Sequence, residues 1–396
     1  MRTVPVDWAA ERAGVSAAVD YLHLNHASTS LPSASTYQAM RDYLHLEASV
    51  GAHRAVARFE EELDDAASAV ALLLGVKAHQ VAFVESASRG WAQALSAVPR
   101  TTGIDVFVSE QEWAANVINV NGLSHARLRT IALPESGSWL DSLDSLTESS
   151  LEQRVPVVSL PVVDCIGDPQ NQWAGVSHRV READGWLFVD ASQAVGQMPV
   201  NATELGADVL VFPARKWLRG PRGIAAMVFS ERALDKFGNP GTMDIYGTEL
   251  SEGLLGLRHG PGARRFQPYD CPPVLKLGMR QAVLNLLRVG PERVHERIES
   301  LAGGLREALR ELHPHVEILP GTSGIVSIRV PRQDHAGIAR SLWAAKVNVA
   351  VIGERYAPLR IGPCDSVLRL SVHSINAATD IQKAIDYIRA ALPHRS

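Results

Sequence analysis

The sequence predicts an α/β protein: a large domain on a doubly wound, mostly parallel sheet, followed by a smaller C-terminal α/β domain. Three observations point there. Short, almost wholly apolar runs recur from Val81 to Phe229 with helical patterning between them, as expected of strands buried on both faces of a parallel sheet. A second, shorter alternation of strands and helices occupies the last part of the chain, from Gly324 to Ala391. The two are separated by an irregular, Gly- and Pro-rich stretch, Asn239 to Pro273, long enough to suggest a functional segment or an interface.

In order along the chain, YLHLNHASTSLPS (Tyr21 to Ser33) passes from a strand-like run into a polar turn, and a helix is expected over Ala34 to Glu47. After His53 and Arg54, Phe59, Leu63, Ala66, Val70 and Leu73 recur at three- and four-residue spacing, which makes a second amphipathic helix that stops at Gly75. Strands are expected at Val81 to Val84, Asp105 to Val108, Arg127 to Ala132, Val155 to Val163, Trp186 to Val189, Val209 to Phe212 and Ala225 to Phe229. Helices fit Arg89 to Val98 and Trp173 to Ala183. Helical patterning resumes at Lys276 and continues past Pro291, with Val294, Ile298, Leu301, Leu305 and Leu309 on one face. Strands at Gly324 to Val330, Val347 to Val351 and Val367 to Ser371 then alternate with helices at Ala336 to Ala345 and Ala377 to Ala391. The expected division is 1–30 as an N-terminal segment joining the small domain, 31–275 as the large domain and 276–396 as the small one.

Composition narrows the function classes. Hydrophobic residues make up 46% and charged residues 21%, a balance that allows a large buried core. A net charge of −4 without any Lys/Arg run argues against a nucleic-acid partner. No apolar run approaches the roughly 18 residues of a membrane span. MRTVPVDWAAERAG at the N-terminus has no apolar region of a signal peptide, so a cytoplasmic protein is expected. Cys165, Cys271 and Cys364 are far apart and odd in number, which fits a reducing compartment. With no CxxC and no HExxH, no metal site is expected, and the nearby pair His23 and His26 reads as local packing.

The chemistry concentrates between Trp186 and Gly223, WLFVDASQAVGQMPVNATELGADVLVFPARKWLRGPRG. Asp190 ends one predicted strand and Lys216 follows the next, so the two can face each other across the carboxyl edge of the sheet, where open α/β sheets place ligands. Taken singly, Asp190 could be a helix cap and Lys216 a solvated charge. Together with Gln193 and the Arg215-Lys216-Trp217 run, they resemble the cofactor-binding core of the class V aminotransferase family, fold-type I enzymes that use pyridoxal 5'-phosphate (PLP). The resemblance extends from Tyr21 to Ile381. Within the family it is closest to the isopenicillin-epimerase-like and C–S lyase branch, through RKWLRGPRG, ARRF and VNVAV…LRLSVH.

The resemblance implies a role for each candidate. Lys216 would be the Schiff-base lysine, with Arg215 disfavouring its ammonium form. Asp190 would face the ring nitrogen and Gln193 the ring hydroxyl oxygen. Ser86, Ala87 and Ser88, in the strand-to-helix segment ESASRGW, would cradle the phosphate at a helix N-terminus; alone, the segment reads as an ordinary cap. Trp113 in SEQEWAAN would stack on the ring, unless it is simply a core tryptophan. Asp164 stands where the family often has Asn, and Pro213 stands where it often has a phosphate-donating Ser or Thr, a contact for which Arg215 is the candidate replacement. GARRFQPYDCP, with Tyr269 or Asp270 at its tip, matches a stretch that reaches a neighbouring subunit's phosphate, so a homodimer with shared active sites is implied. Arg369 would clamp the carboxylate of an amino-acid substrate, with a surface salt bridge as the alternative. His26, Ala27 and Ser28 would belong to the N-terminal segment crossing the site, and His53 to the substrate pocket.

A cysteine desulfurase requires a nucleophilic cysteine on a mobile loop well before the C-terminal arginine. Cys364 lies five residues before Arg369 in a short GPCDS turn, which disfavours desulfuration. The expected reaction is β-elimination of sulfur from an S-substituted cysteine conjugate in specialised metabolism. The alternatives are epimerisation, transamination or decarboxylating oxidative deamination of such a conjugate, or a non-catalytic binding protein on the same fold.

Overall fold

The computed structural model describes residues 5–15, 21–100, 102–131, 143, 145–169, 173–251, 255–312 and 316–392. Its centre is a seven-stranded sheet of β1 (Val81–Val84), β2 (Ile104–Ser109), β3 (Ala126–Ile131), β4 (Val155–Pro161), β5 (Trp186–Asp190), β6 (Val209–Pro213) and β7 (Ala225–Phe229). The strand order is β1-β7-β6-β5-β4-β2-β3. Neighbours from β6 to β3 are parallel, and β7 runs antiparallel to both β6 and β1. The mostly parallel sheet expected from the apolar runs is therefore present, with one reversed strand.

Alternation along each strand divides its side chains between two core layers. Leu187 and Val189 of β5 and Leu210 and Phe212 of β6 enter one layer, beneath helices Glu60–Leu74 and Pro273–Val289. Trp186, Phe188, Val209 and Val211 enter the other, against helix Ala87–Ala97. Both faces are covered, which leaves the strand ends as the place where polar side chains can gather.

The second sheet has four antiparallel strands, β8 (Glu317–Ile318), β9 (Ile325–Arg329), β10 (Ala350–Gly353) and β11 (Ser366–Ser371), in the order β8-β9-β11-β10. Helices His335–Ala344 and Ala378–Ala391 pack over it. The N-terminal segment joins this unit: Leu22 and His23 pair in parallel with Val347 and Asn348, Asn25 bridges Ser371, and Leu24 is buried in the same core.

Several sequence expectations need correction. The strand expected over Val347 to Val351 is two strands in two sheets, because Val347–Asn348 is drawn to the N-terminal segment and Ala350–Gly353 to β11. Asn239 to Pro273 is not irregular throughout. It holds an exposed antiparallel hairpin, Thr248–Ser251 with Gly256–His259, and a 3-10 turn at Gly262–Phe266; exposure on both faces removes the alternation that marks a hairpin in sequence. Leu74 rather than Leu73 is the fully buried residue at the end of its helix. A domain cut after residue 275 divides helix Pro273–Val289, whose Met279, Ala282 and Val283 all lie in the large core. The change of core falls inside helix Pro291–Arg310, between Ile298 and Leu301.

One glycine ties the sheet to the residues beyond it. Gly196 adopts φ +101, and a β-carbon there would lie 2.3 Å from the backbone of Trp217. The turn after β5 thus presses directly on the turn after β6. Gly196→Ala is expected to cost at least about 2 kcal/mol, combining strained φ with steric overlap, read as a lowered urea midpoint.

Candidate active site

The carboxyl ends of β5 and β6 supply the first two residues. Asp190 is the last residue of β5, is buried, and accepts the Ser192 N–H on Oδ1 at 2.8 Å. β6 ends at Pro213, and the chain turns through Ala214 and Arg215 to Lys216, which is only 8% exposed. Burial lowers the Lys216 amine to about 7; Arg215 and Arg369 add to the effect, and Asp190 opposes it. An amine with that affinity is largely neutral at pH 8, as a nucleophile or base must be.

Lys216 Nζ lies 5.7 Å from the centre of the Trp113 indole. Trp113 precedes helix Ala114–Asn121, donates its N–H to Glu112 Oε1 at 2.9 Å, and stacks on Tyr356 with ring centres 5.8 Å apart and planes 19° apart. The Gln193 amide is held between two groups. It donates to the Ala27 carbonyl at 3.1 Å and accepts the Trp217 indole N–H at 2.8 Å, leaving one N–H of the amide without a partner among the described residues.

Arg369, on β11, is 3% exposed. Its Nη1 donates to the Cys165 carbonyl at 2.9 Å and its Nη2 to Ser28 Oγ at 2.7 Å, while Nε has no partner. Burial lowers its affinity for the proton to about 10. Among the described residues no carboxylate forms an ion pair with it, so the surface salt bridge considered from sequence is absent there.

Other candidates are placed differently. Arg215 gives its guanidinium to the Ser28 carbonyl, and its own carbonyl accepts the Ser30 N–H at 2.8 Å, so it is tied to the N-terminal segment rather than held free for a phosphate. Asp164 is spent on its own loop. Its Oδ1 accepts the N–H groups of Ile166, Gly167 and Asp168 at 3.0, 2.7 and 2.8 Å, and its Oδ2 binds Arg360. Ser86 caps helix Ala87–Ala97 by accepting the Arg89 N–H at 3.3 Å, and Ala87 and half-buried Ser88 open the same helix. His26 is fully enclosed, 4.5 and 5.1 Å from the rings of His23 and His373, with Nδ1 on Ser30 and Nε2 unpartnered. The adjacent Ala27 and Ser28 make the contacts to Gln193, Arg215 and Arg369 instead. His53 and Tyr269 line a separate cavity of about 480 Å³ with Tyr43, Arg264 and Lys276, and neither Lys216 nor Arg369 lines it.

Sequence reading missed Glu112, Ser28 as a partner of Arg369, Tyr356, and Arg360. Glu112 alone carried a local signal, an acid beside Trp113 at the end of a core strand. The others are partners only across the fold: Arg360 reaches Asp164 and Asp168 and so fastens the loop that carries Tyr356 to the large unit.

The family model described as aminotransferase class-V matches residues 21–384. The chain belongs to the aminotransferase class-V family. A curated cysteine desulfurase of Haloferax volcanii is 25% identical over 398 residues, covering 93% of this chain and 89% of the relative. The apo structure of a cysteine desulfurase from Thermococcus onnurineus NA1 superposes with a TM-score of 0.84 at 20% identity, covering 99% of each chain. A structure of the cystine C–S lyase C-DES with its product cysteine persulfide superposes with a TM-score of 0.81 at 17% identity, covering 93% of this chain and 97% of that one. These relatives support the fold-type I architecture, and they give no support to the epimerase-like branch read from the sequence.

The cofactor of this class V protein is PLP, and the residues present fit it. A buried, largely neutral amine, a buried carboxylate on the neighbouring strand end, an indole face beside the amine, and a capped helix N-terminus are the donor set such a ring and phosphate require. Because the Asp190 charge raises the Lys216 affinity, Asp190→Asn should move the pH midpoint of Lys216 modification by an amine-reactive reagent below that of the wild type. An unchanged or higher midpoint would show that the two groups do not sense each other.

Proposed function

We propose that this protein is a PLP-dependent lyase that cleaves the C–S bond of an S-substituted cysteine, with a conjugate of specialised metabolism as the substrate class. The observation that carries this reading is Arg369: a buried guanidinium with no carboxylate partner among the described residues, in the same enclosure as the largely neutral Lys216. The cystine C–S lyase among the similar structures supports the bond chosen.

When bound, PLP supplies an electron sink for the pair released at the substrate α-carbon. The protein's residues do the rest. Arg369 holds the substrate carboxylate. Lys216 takes the α-proton, which its lowered affinity allows at neutral pH. Asp190 would be the anion for the ring nitrogen, Trp113 would cover the ring, and Gln193 would offer its remaining N–H to the ring hydroxyl. The helix beginning at Ala87, with Ser86 and Ser88, would supply donors for the phosphate. The Cβ–S bond breaks, sulfur leaves as the thiol after gaining a proton, and the three-carbon remainder takes up water to give pyruvate and ammonia.

A homodimer with shared sites accompanies this reading. His53 and Tyr269 sit together in a cavity without Lys216, and the neighbouring hairpin region exposes Ile245, Leu250 and Leu257, which suits donation of that cavity to a second copy. A cytoplasmic location fits three unpaired cysteines, and no described helix is long and apolar enough to cross a membrane.

Desulfuration is the second reading, favoured by the named relatives and by Cys364, an exposed thiol on the Arg360-fastened loop. The other cysteines suit it poorly: burial pushes the thiols of Cys165 and Cys271 up to about 12 and about 11. Product analysis separates the two readings, since elimination yields pyruvate and desulfuration of cysteine yields alanine. Pyruvate from cysteine conjugates, undiminished in Cys364→Ser, is the expected result; alanine formation lost in that variant would select the second reading. Arg369→Lys should lower kcat/KM about 100-fold through loss of the planar two-point contact, and an unchanged value would remove Arg369 from substrate binding.

A further inference from the structure

One buried acid of this region has no part in the mechanism above. Glu112 lies between β2 and Trp113 and is fully enclosed. Its Oε1 accepts the Trp113 N–H at 2.9 Å and the Asn116 side-chain amide at 2.8 Å, while Oε2 has no partner. The Ser159 hydroxyl, which accepts the Trp91 indole N–H at 3.0 Å, lies near enough to this carboxyl group to favour its ionised form. Ser159 stands on β4, the strand between β2 and β5, two residues before Pro161, which registers with Asp190. Three adjacent strand ends thus bring Glu112 and Asp190 into one polar enclosure. Trp91, Trp113, Asn116 and Ser159 around Glu112 are neutral, Asp190 is the charged group acting on it, and among the described residues no cation is paired with it.

A carboxyl group placed this way is fully buried and faces a second acid without a counter-ion of its own, so its ionised state is disfavoured. We propose that Glu112 is a positioning residue of the cofactor site: it fixes Trp113 through the backbone and, by holding or releasing a proton, sets the total negative charge behind the ring nitrogen. The inference rests on the assignment of Asp190 and Lys216 made above. Burial, reinforced by Asp190, pushes the Glu112 carboxyl up to about 7. Below that pH it is neutral and Asp190 is left as the anion. Above it, ionised Glu112 adds a second negative charge, which strengthens the site's hold on protonated cations.

The test uses wild type and Glu112→Gln, which keeps an oxygen for the Trp113 and Asn116 donors but cannot ionise. In the PLP-loaded protein, the pH midpoint of the visible absorbance band should fall by about one unit in Glu112→Gln, the size of a nearby charge effect. The apoprotein supplies a second readout. Because the folded-state affinity of Glu112 lies above its ordinary value, wild type loses stability as pH rises from about 4.5 to about 7. The unfolding midpoint of Glu112→Gln should therefore gain on wild type across that interval, whereas a merely structural role gives a gap independent of pH. Should Glu112→Gln fail to fold, Asn116→Leu removes a donor that favours the ionised carboxyl, and should lower the band midpoint by a smaller amount. Superimposable band profiles together with a pH-independent stability gap overturn the proposal alone; a wild type that takes up no PLP overturns the cofactor assignment and this inference with it.

Discussion

Two buried basic groups without carboxylate ion-pair partners among the described residues, Lys216 and Arg369, set the terms for the rest of this structure. Removing a charge from water costs several kcal/mol unless it is paired or neutralised. The protein answers the two cases differently. Lys216 gives up its proton readily, and Arg369, which cannot, is surrounded by neutral oxygen acceptors, the Cys165 carbonyl and the Ser28 hydroxyl. Much of the surrounding architecture serves to keep those acceptors in place.

The N-terminal segment is the clearest instance. It pairs with the small unit at Leu22 and His23, bridges β11 at Asn25, and then crosses to the large unit, where Ala27 holds Gln193 and Ser28 meets both Arg215 and Arg369. Behind it, Trp217 bonds to Gln193 through its indole and accepts His373 Nε2–H on its carbonyl at 2.9 Å. Burial pushes His373 down to about 3, so this bond joins neutral partners over the working pH range. Neutral polar contacts of this kind fix geometry without adding further charges to desolvate.

What could be read from sequence followed locality. The strands of the large sheet announce themselves because both faces are covered, which makes β5 and β6 continuous apolar runs, and the polar residues that end them, Asp190 and Lys216, stand out at once. Trp113 and Arg369 could be placed for the same reason, each next to a strand with a clear pattern. The partners were invisible: Ser28 and Arg369 are 341 residues apart, and Arg360 and Asp164 are 196 apart. Asp164 therefore looked available to a ligand although its oxygens are taken by its own loop and Arg360, and Arg215 looked like a phosphate donor although it is turned to the N-terminal segment. Residue type shows what a side chain can bind; only the fold shows what has already bound it.

Ser28 gives the substrate reading a thermodynamic consequence. The edge of a guanidinium that grips a carboxylate with two parallel bonds is formed by Nε and Nη2, and in Arg369 the first is vacant of partners while the second already holds the Ser28 hydroxyl. Binding a carboxylate side-on is therefore an exchange, in which the guest displaces an internal ligand. The affinity that results measures the difference between carboxylate and hydroxyl as partners of one arginine, and the released hydroxyl belongs to the segment that joins the two halves of the molecule.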